Sequence, residues 1–173
     1  DFKYLAVIES GLIHVKSPAG AEGFWQFMPQ TAREYGLEVN GDVDERLHLI
    51  KSTESAAAYL KYAYEVFGNW TLAAASYNAG MQRIQSEMNK QKANSYYDLF
   101  LNEETSRYMH RILATKLIFE SPETYGFAIT DEQSYAFPET KFVIISESNI
   151  NWVDFALSHN MNSVSYTHLR AHE

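Results

Sequence analysis

Apolar residues recur at helical spacing through the first two-thirds of the chain. Leu5, Ile8 and Leu12 mark a first helix, weakened near its end by Gly11. Pro29 is placed to open a second, with Gly36 just past its end, the usual proline-first, glycine-last asymmetry. Ser52 or Thr53 can cap a long third helix bearing Ala56, Leu60, Ala63, Tyr64 and Phe67, which Gly68 stops. Asn69 then caps a short apolar helix from Trp70 to about Tyr77, ended by Asn78-Ala79-Gly80. A fifth helix runs from about Met81 to Lys90. The sixth carries Tyr108, Ile112, Leu117 and Phe119 and ends at Pro122.

The pattern changes after Tyr125. Lys141-Phe142-Val143-Ile144-Ile145 is β-branched and aromatic, as a strand would be, and residues 151–157 read as a short amphipathic helix. The expected organisation is therefore a mainly α domain over residues 1–125 and a mixed strand-helix appendage or linker over 126–164. Residues 165–173 fit no preceding pattern and read as a cloning or read-through scar. No internal repeat is present.

Composition narrows the function classes. With 46% apolar and 14% aromatic residues in 173, the chain can bury a core, which sets disorder aside. Its net charge of −8 comes without a basic stripe, so no nucleic-acid partner is expected, and a neutral or carbohydrate partner fits better. There is no cysteine, hence no disulfide framework, thiolate metal site or thiol nucleophile. No uncharged apolar run approaches the roughly 18 residues of a membrane span. The chain opens at Asp1-Phe2-Lys3-Tyr4 and reads as a fragment, so a targeting segment or membrane anchor is expected outside it. His14, His48, His110, His159, His168 and His172 form no helical ligand pair, and neither a metal nor another cofactor is expected.

Three segments could carry chemistry. Glu9 follows Ile8 and stands four residues after Leu5, so a helix puts it at the border of its own apolar stripe. A carboxyl there is partly desolvated and keeps its proton nearer neutrality, as a general acid on a glycosidic oxygen must. Taken alone, such a residue is more often a border glutamate reaching back to water. Residues 17–23, Ser-Pro-Ala-Gly-Ala-Glu-Gly, form a tight turn leading into Phe24-Trp25-Gln26-Phe27-Met28-Pro29. The amide of Gln26, set among apolar side chains, must be hydrogen-bonded: either it faces a cleft, where sugar hydroxyls and acetamides ask for amide partners, or it bonds to backbone. In Ala73-Ala74-Ala75-Ser76-Tyr77-Asn78-Ala79-Gly80, small residues allow close approach, and a phenol and an amide sit at the helix end. An ordinary helix stop with a core tyrosine gives the same pattern.

Taken in order, Glu9-Ser10, the Ser17-to-Pro29 segment, Ser76-Tyr77-Asn78-Ala79-Gly80 and Glu104-Thr105-Ser106-Arg107-Tyr108 resemble the catalytic domain of soluble-type lytic transglycosylases. The likeness covers roughly residues 2–121 and is most similar to the membrane-bound lytic murein transglycosylase D branch. It implies a lysozyme-like (goose-type) helical fold that cleaves peptidoglycan between N-acetylmuramic acid and N-acetylglucosamine. By the same resemblance Glu9 matches the single catalytic acid/base, and Ser17 a serine beside the cleaved linkage. Gln26 and Met28 match cleft-lining positions. Tyr77 matches a tyrosine near the catalytic carboxyl, with Asn78 its neighbour, and Glu104 and Tyr108 match a motif that closes the cleft. Where the family often has Asn-Pro soon after Glu-Ser, this chain has Ile13-His14 in a slightly shorter segment.

Ordinary glycosidases use two carboxylates, and no convincing second one accompanies Glu9. Glu22 lies in a surface turn, and Asp42, Asp44 and Glu45 form a loop cluster that caps a helix. One carboxylate suffices if the muramoyl 2-acetamido group assists departure and the sugar's own 6-hydroxyl attacks, giving a 1,6-anhydro product. The alternatives are a hydrolytic muramidase of similar fold and a non-catalytic peptidoglycan-binding module. The resemblance implies glycan strands as partner, a monomer, and the periplasm or envelope of a bacterium as location.

Overall fold

A computed structural model describes residues 1–41, 43–134, 143–144 and 150–161 of the chain. Among these, seven α-helices appear: α1 (Lys3–Ser10), α2 (Pro29–Glu34), α3 (Leu49–Phe67), α4 (Trp70–Ala79), α5 (Met81–Gln91), α6 (Glu103–Glu120) and α7 (Trp152–Ser158). β structure is limited, among the described residues, to isolated bridges such as Lys16 with Glu22 and Glu22 with Phe27. The fold is mainly α, as the periodicity predicts.

α4 is the centre. Leu72, Ala73, Ala74, Ala75 and Ser76 are all fully buried, so this helix is covered on every side by α3, α5 and α6. The run of alanines is what lets three helices approach one axis. α1 packs along α6 in the opposite direction: Asp1 pairs with Lys116, Tyr4 Oη with Glu120, the Ile8 carbonyl with Arg111 and Glu9 with Tyr108. Leu5, Leu72 and Ile84 are fully enclosed, and burying each is worth about 1.5–3 kcal/mol.

Helix ends follow local chemistry, with some corrections. Gly11 and Gly68 end α1 and α3 in the left-handed conformation, and the Asn69 side chain accepts from Leu72 N–H to start α4. Leu12 belongs to no helix. It lies beyond the Gly11 cap at φ 60°, about half exposed. α3 begins three residues earlier than Ser52, with His48 as cap, because Ser52 and Thr53 turn their hydroxyls back onto the carbonyls of His48 and Leu49. α4 continues through Asn78 and Ala79, past the expected stop at Tyr77. On α6, Leu117 and Phe119 face outward, and the buried face is instead Thr105, Tyr108, Met109 and Ile112. Helix α7 forms where expected. Most of the strand expected over 141–145 lies outside the described residues, as do Asp42 and the whole of 165–173. Val143 and Ile144, which are described, adopt no regular structure.

Residues 15–28 fold into a small hairpin-like loop held from below by Arg46. This side chain is buried and donates to the carbonyls of Gly20 and Phe27 at 2.8 and 3.0 Å, while its guanidinium pairs with Glu22 and Asp44. Glu22 is thus no free surface carboxylate; it is bound to Arg46 and Lys16. Asp44 caps the 3₁₀ turn Glu45–Leu47 as expected, and Glu45 pairs with Lys51 and accepts from Glu38 N–H. Gly23 is required here. A Cβ at that position would sit 2.1 Å from the Arg46 carbonyl oxygen.

Candidate active site

Glu9 is set by three elements. It lies in the last turn of α1, half-buried, one residue from the helix end. Its neighbour Ser10 is buried and donates to the carbonyls of Ala6 and Phe24, at 3.1 and 2.8 Å, and accepts from Leu12 N–H. Ser10 therefore ties the end of α1 to the hairpin loop. From α6, the buried Tyr108 hydroxyl donates to Glu9 Oε1. Burial pushes the Glu9 carboxyl above the ordinary carboxyl range. The Tyr108 bond and the Arg111 charge work against that rise, and the Glu104 charge adds to it. Such a carboxyl holds a proton nearer neutrality and still has a donor ready for its ionised form, which are the two properties a general acid/base needs.

Tyr77 is close enough for the Glu9 charge to help raise its phenol well above the usual range, burial being the main cause. Its hydroxyl, however, donates to the Trp25 carbonyl at 2.9 Å, and its ring packs edge-on against Trp25, Phe27 and Tyr59. The phenol bonded to Glu9 belongs to Tyr108, the residue expected only to close the cleft. The Tyr108 phenol is likewise pushed well above the usual range, chiefly by burial and then by Glu9. Tyr77 thus lies near the carboxyl, as expected, without bonding to it, and the reason is geometric: α6 runs antiparallel to α1 and faces Glu9 directly, whereas α4 meets the hairpin loop.

Gln26 is the hinge of the loop. It is a non-glycine residue at φ 49°, which costs about 1–2 kcal/mol. Its amide Nε2 donates to the carbonyls of Val15 and Gly23, both at 2.9 Å, and Trp25 and Phe27 on either side are buried. The amide nitrogen thus locks backbone. Met28 is about 42% exposed and leads into Pro29 at the start of α2. Ser17 caps its own turn by accepting from Ala21 N–H at 2.9 Å, which leaves its O–H proton to donate outward.

Asn78 and Glu104 meet. The Asn78 amide donates to Glu104 Oε1 at 3.0 Å and accepts from the Thr105 hydroxyl at 2.7 Å, joining the end of α4 to the start of α6. Glu104, expected from sequence to help close the cleft, also carries a charge that adds slightly to the rise at Glu9. Glu104 and Arg111, with Asn102, Glu103 and Arg107, line a hollow of about 520 Å³ on this face. Another hollow of about 430 Å³, near Tyr35 and Ser55, shares no residue with these surroundings. Among the described residues no group of three His, Asp or Glu side chains could hold a metal.

Ser10 enters the sequence reading only as the neighbour of Glu9 in the Glu9-Ser10 motif, with no role given. Arg46 and Arg111 are absent from it, because they act across long separations and leave no local signal.

The chain matches the Transglycosylase SLT domain family over residues 2–100, more than half its length. The match takes in Glu9, the hairpin loop and Asn78 but stops short of Glu104 and Tyr108. The chain is 33% identical over 136 residues to membrane-bound lytic murein transglycosylase D of Escherichia coli K12, covering 74% of this chain and 30% of that protein. It is 30% identical over 109 residues to the soluble lytic murein transglycosylase of Salmonella typhimurium, covering 58% of this chain and 17% of that one. It thus spans under a third of the length of these relatives.

Proposed function

Because this chain belongs to the transglycosylase SLT domain family, we propose that it is a lytic transglycosylase acting on bacterial peptidoglycan. The reaction is cleavage of the β-1,4 bond between N-acetylmuramic acid and N-acetylglucosamine. Glu9 protonates the leaving glycosidic oxygen while the muramoyl acetamide assists departure at the anomeric carbon. The Glu9 carboxylate then removes the proton of the muramoyl 6-hydroxyl, whose oxygen attacks that carbon and releases the acetamide. The product is a 1,6-anhydro sugar; no water is consumed and Glu9 ends protonated, as it began.

The observation that carries this reading is the half-buried Glu9 carboxyl, raised above its ordinary range, with the Tyr108 phenol donating to it. The hollow beside α6 and the exposed Met28 side chain offer polar and apolar surface for sugar rings. Asn78, Glu104 and the Ser17 hydroxyl supply acceptors and donors toward them. The catalytic unit is residues 1–125, with 126–164 an appendage, working as a monomer in the periplasm or cell envelope. Among the described residues no helix is long and apolar enough to cross a membrane.

A hydrolytic muramidase is the second reading: Glu104 comes from α6, the helix that packs along α1 and bears Tyr108, and many glycosidases use two carboxylates. Glu104 is engaged by the Asn78 amide, and the named relatives are transglycosylases, so this reading ranks second. Mass spectrometry of products from purified peptidoglycan separates them. Anhydro ends, lighter by one water, are expected; hydrated reducing ends would establish the muramidase.

A further inference from the structure

Arg111 crosses from α6 to α1, where its guanidinium donates to the Ile8 carbonyl at 3.0 Å. That carbonyl lies in the last turn of α1, where carbonyls lack partners within the helix and the dipole is negative. α1 has no basic residue in its own last turn. The cation that such an end favours therefore comes from a residue 103 positions away along the chain. Glu9 is the next residue after Ile8, so its carboxyl group sits at the same negative end.

The groups facing Glu9 are few. From α6 come Glu104, Tyr108 and Arg111; from α4 comes Tyr77; the other charge on α1, Lys3, stands at the opposite end of that helix. Among the described residues Arg111 is the one cation of this set. Everything else there, including burial, the helix end and the Glu104 carboxylate, opposes the ionised carboxyl, apart from the Tyr108 hydrogen bond.

We propose that Arg111 is a positioning residue for the reaction: its guanidinium fixes the final turn of α1 and holds positive charge against the Glu9 carboxylate formed when the proton leaves. This rests on the reading of Glu9 as acid/base. Between its two proton transfers Glu9 is an anion at a site that disfavours anions, and Arg111 is placed to offset that. Arg111 lies at the surface, so its effect is screened by salt.

The test is a carboxyl titration of Glu9 followed by NMR in the intact chain without substrate, for wild type, Arg111→Met and Arg111→Lys, at low and high salt. Removing the cation should raise the Glu9 midpoint by about half a unit at low salt. Lysine should restore most of the wild-type value, and the difference should shrink at high salt. On glycan, Arg111→Met should lower kcat about three-fold, the rate equivalent of that half unit, with KM changed less, because the stabilisation appears only as Glu9 ionises. An unmoved midpoint in folded Arg111→Met, even with a lowered Tm, would reduce Arg111 to a structural tie and overturn the proposal. A wild type inactive on peptidoglycan would overturn the acid/base reading instead, a failure visible separately because the titration needs no turnover.

Discussion

Tyr108 and Glu9 stand 99 positions apart in the chain, yet the phenol of one donates directly to the carboxyl of the other. The bond joins two antiparallel helices at the point where α1 ends. It gives Glu9 a preset partner when it ionises, in a place where burial alone would resist ionisation. Hydrogen bonds to a group whose charge changes during reaction strengthen as the charge develops, so their loss is felt in rate. Tyr108→Phe is therefore expected to lower kcat by about 10-fold or more, or roughly 1.4 kcal/mol of transition-state stabilisation. Steady-state kinetics on glycan fragments, beside a melting curve, checks this; an unchanged kcat in a folded variant would remove Tyr108 from the mechanism.

Glu9→Gln should cost roughly 10²–10⁴-fold in activity or more while the fold persists. Its stability should depend on pH in a definite direction. The folded-state pKa of Glu9 is raised, so ionised Glu9 is a burden to the folded state at pH above that value and no burden below the unfolded one. The glutamine variant should thus melt higher than wild type near neutrality, and the gain should disappear as pH falls through the ordinary carboxyl range. Melting curves across that range decide it. A variant less stable at neutral pH than at acid pH, relative to wild type, would contradict the assigned burial.

Tyr77→Phe should act differently from Tyr108→Phe. Removing its hydroxyl leaves the Trp25 carbonyl without its donor, at a cost of about 1–2 kcal/mol. A lower Tm with kcat within a few-fold of wild type is expected. A loss of rate without loss of stability would mean that the hydroxyl serves the substrate, as the family resemblance implied.

Ser10→Ala should lower both stability and activity. The change frees the Phe24 carbonyl and loosens the tie between the end of α1 and the hairpin loop, costing about 1 kcal/mol. Because the same tie sets the height of Glu9, kcat should fall about 10-fold, while cysteine, which keeps the side-chain volume and a weak donor, should recover part of it. Equal kcat in alanine and wild type would show that Glu9 is held by α6 alone.

Arg46→Met should be among the most damaging single changes outside Glu9. It leaves Asp44 without its cation, Glu22 with only the exposed Lys16, the Gly20 carbonyl without its side-chain donor and the Phe27 carbonyl with only the Glu22 N–H, worth about 3–5 kcal/mol together. Gly23→Ala should act on the same loop by clash with the Arg46 carbonyl. Chemical denaturation measures both; losses under about 1 kcal/mol would show that the loop is held by Trp25 and Phe27 packing instead.

What the sequence determined by itself was local. The helices, their glycine stops, the Asn69 cap and the border position of Glu9 all follow from spacing and from side chains acting within four residues, as does the mainly α class. Motif order was likewise enough to point to the family. The start of α3 escaped because the hydroxyls of Ser52 and Thr53 can bond backward inside a helix as readily as forward at its cap. Only the tertiary structure decided which phenol meets Glu9, that the Gln26 amide nitrogen locks backbone, and that Arg46 and Arg111 support the loop and α1 from a distance. Those outcomes depend on which helix faces which. That choice is made when α3, α5 and α6 settle around the alanines of α4 and α1 packs along α6, through contacts between residues far apart in the chain.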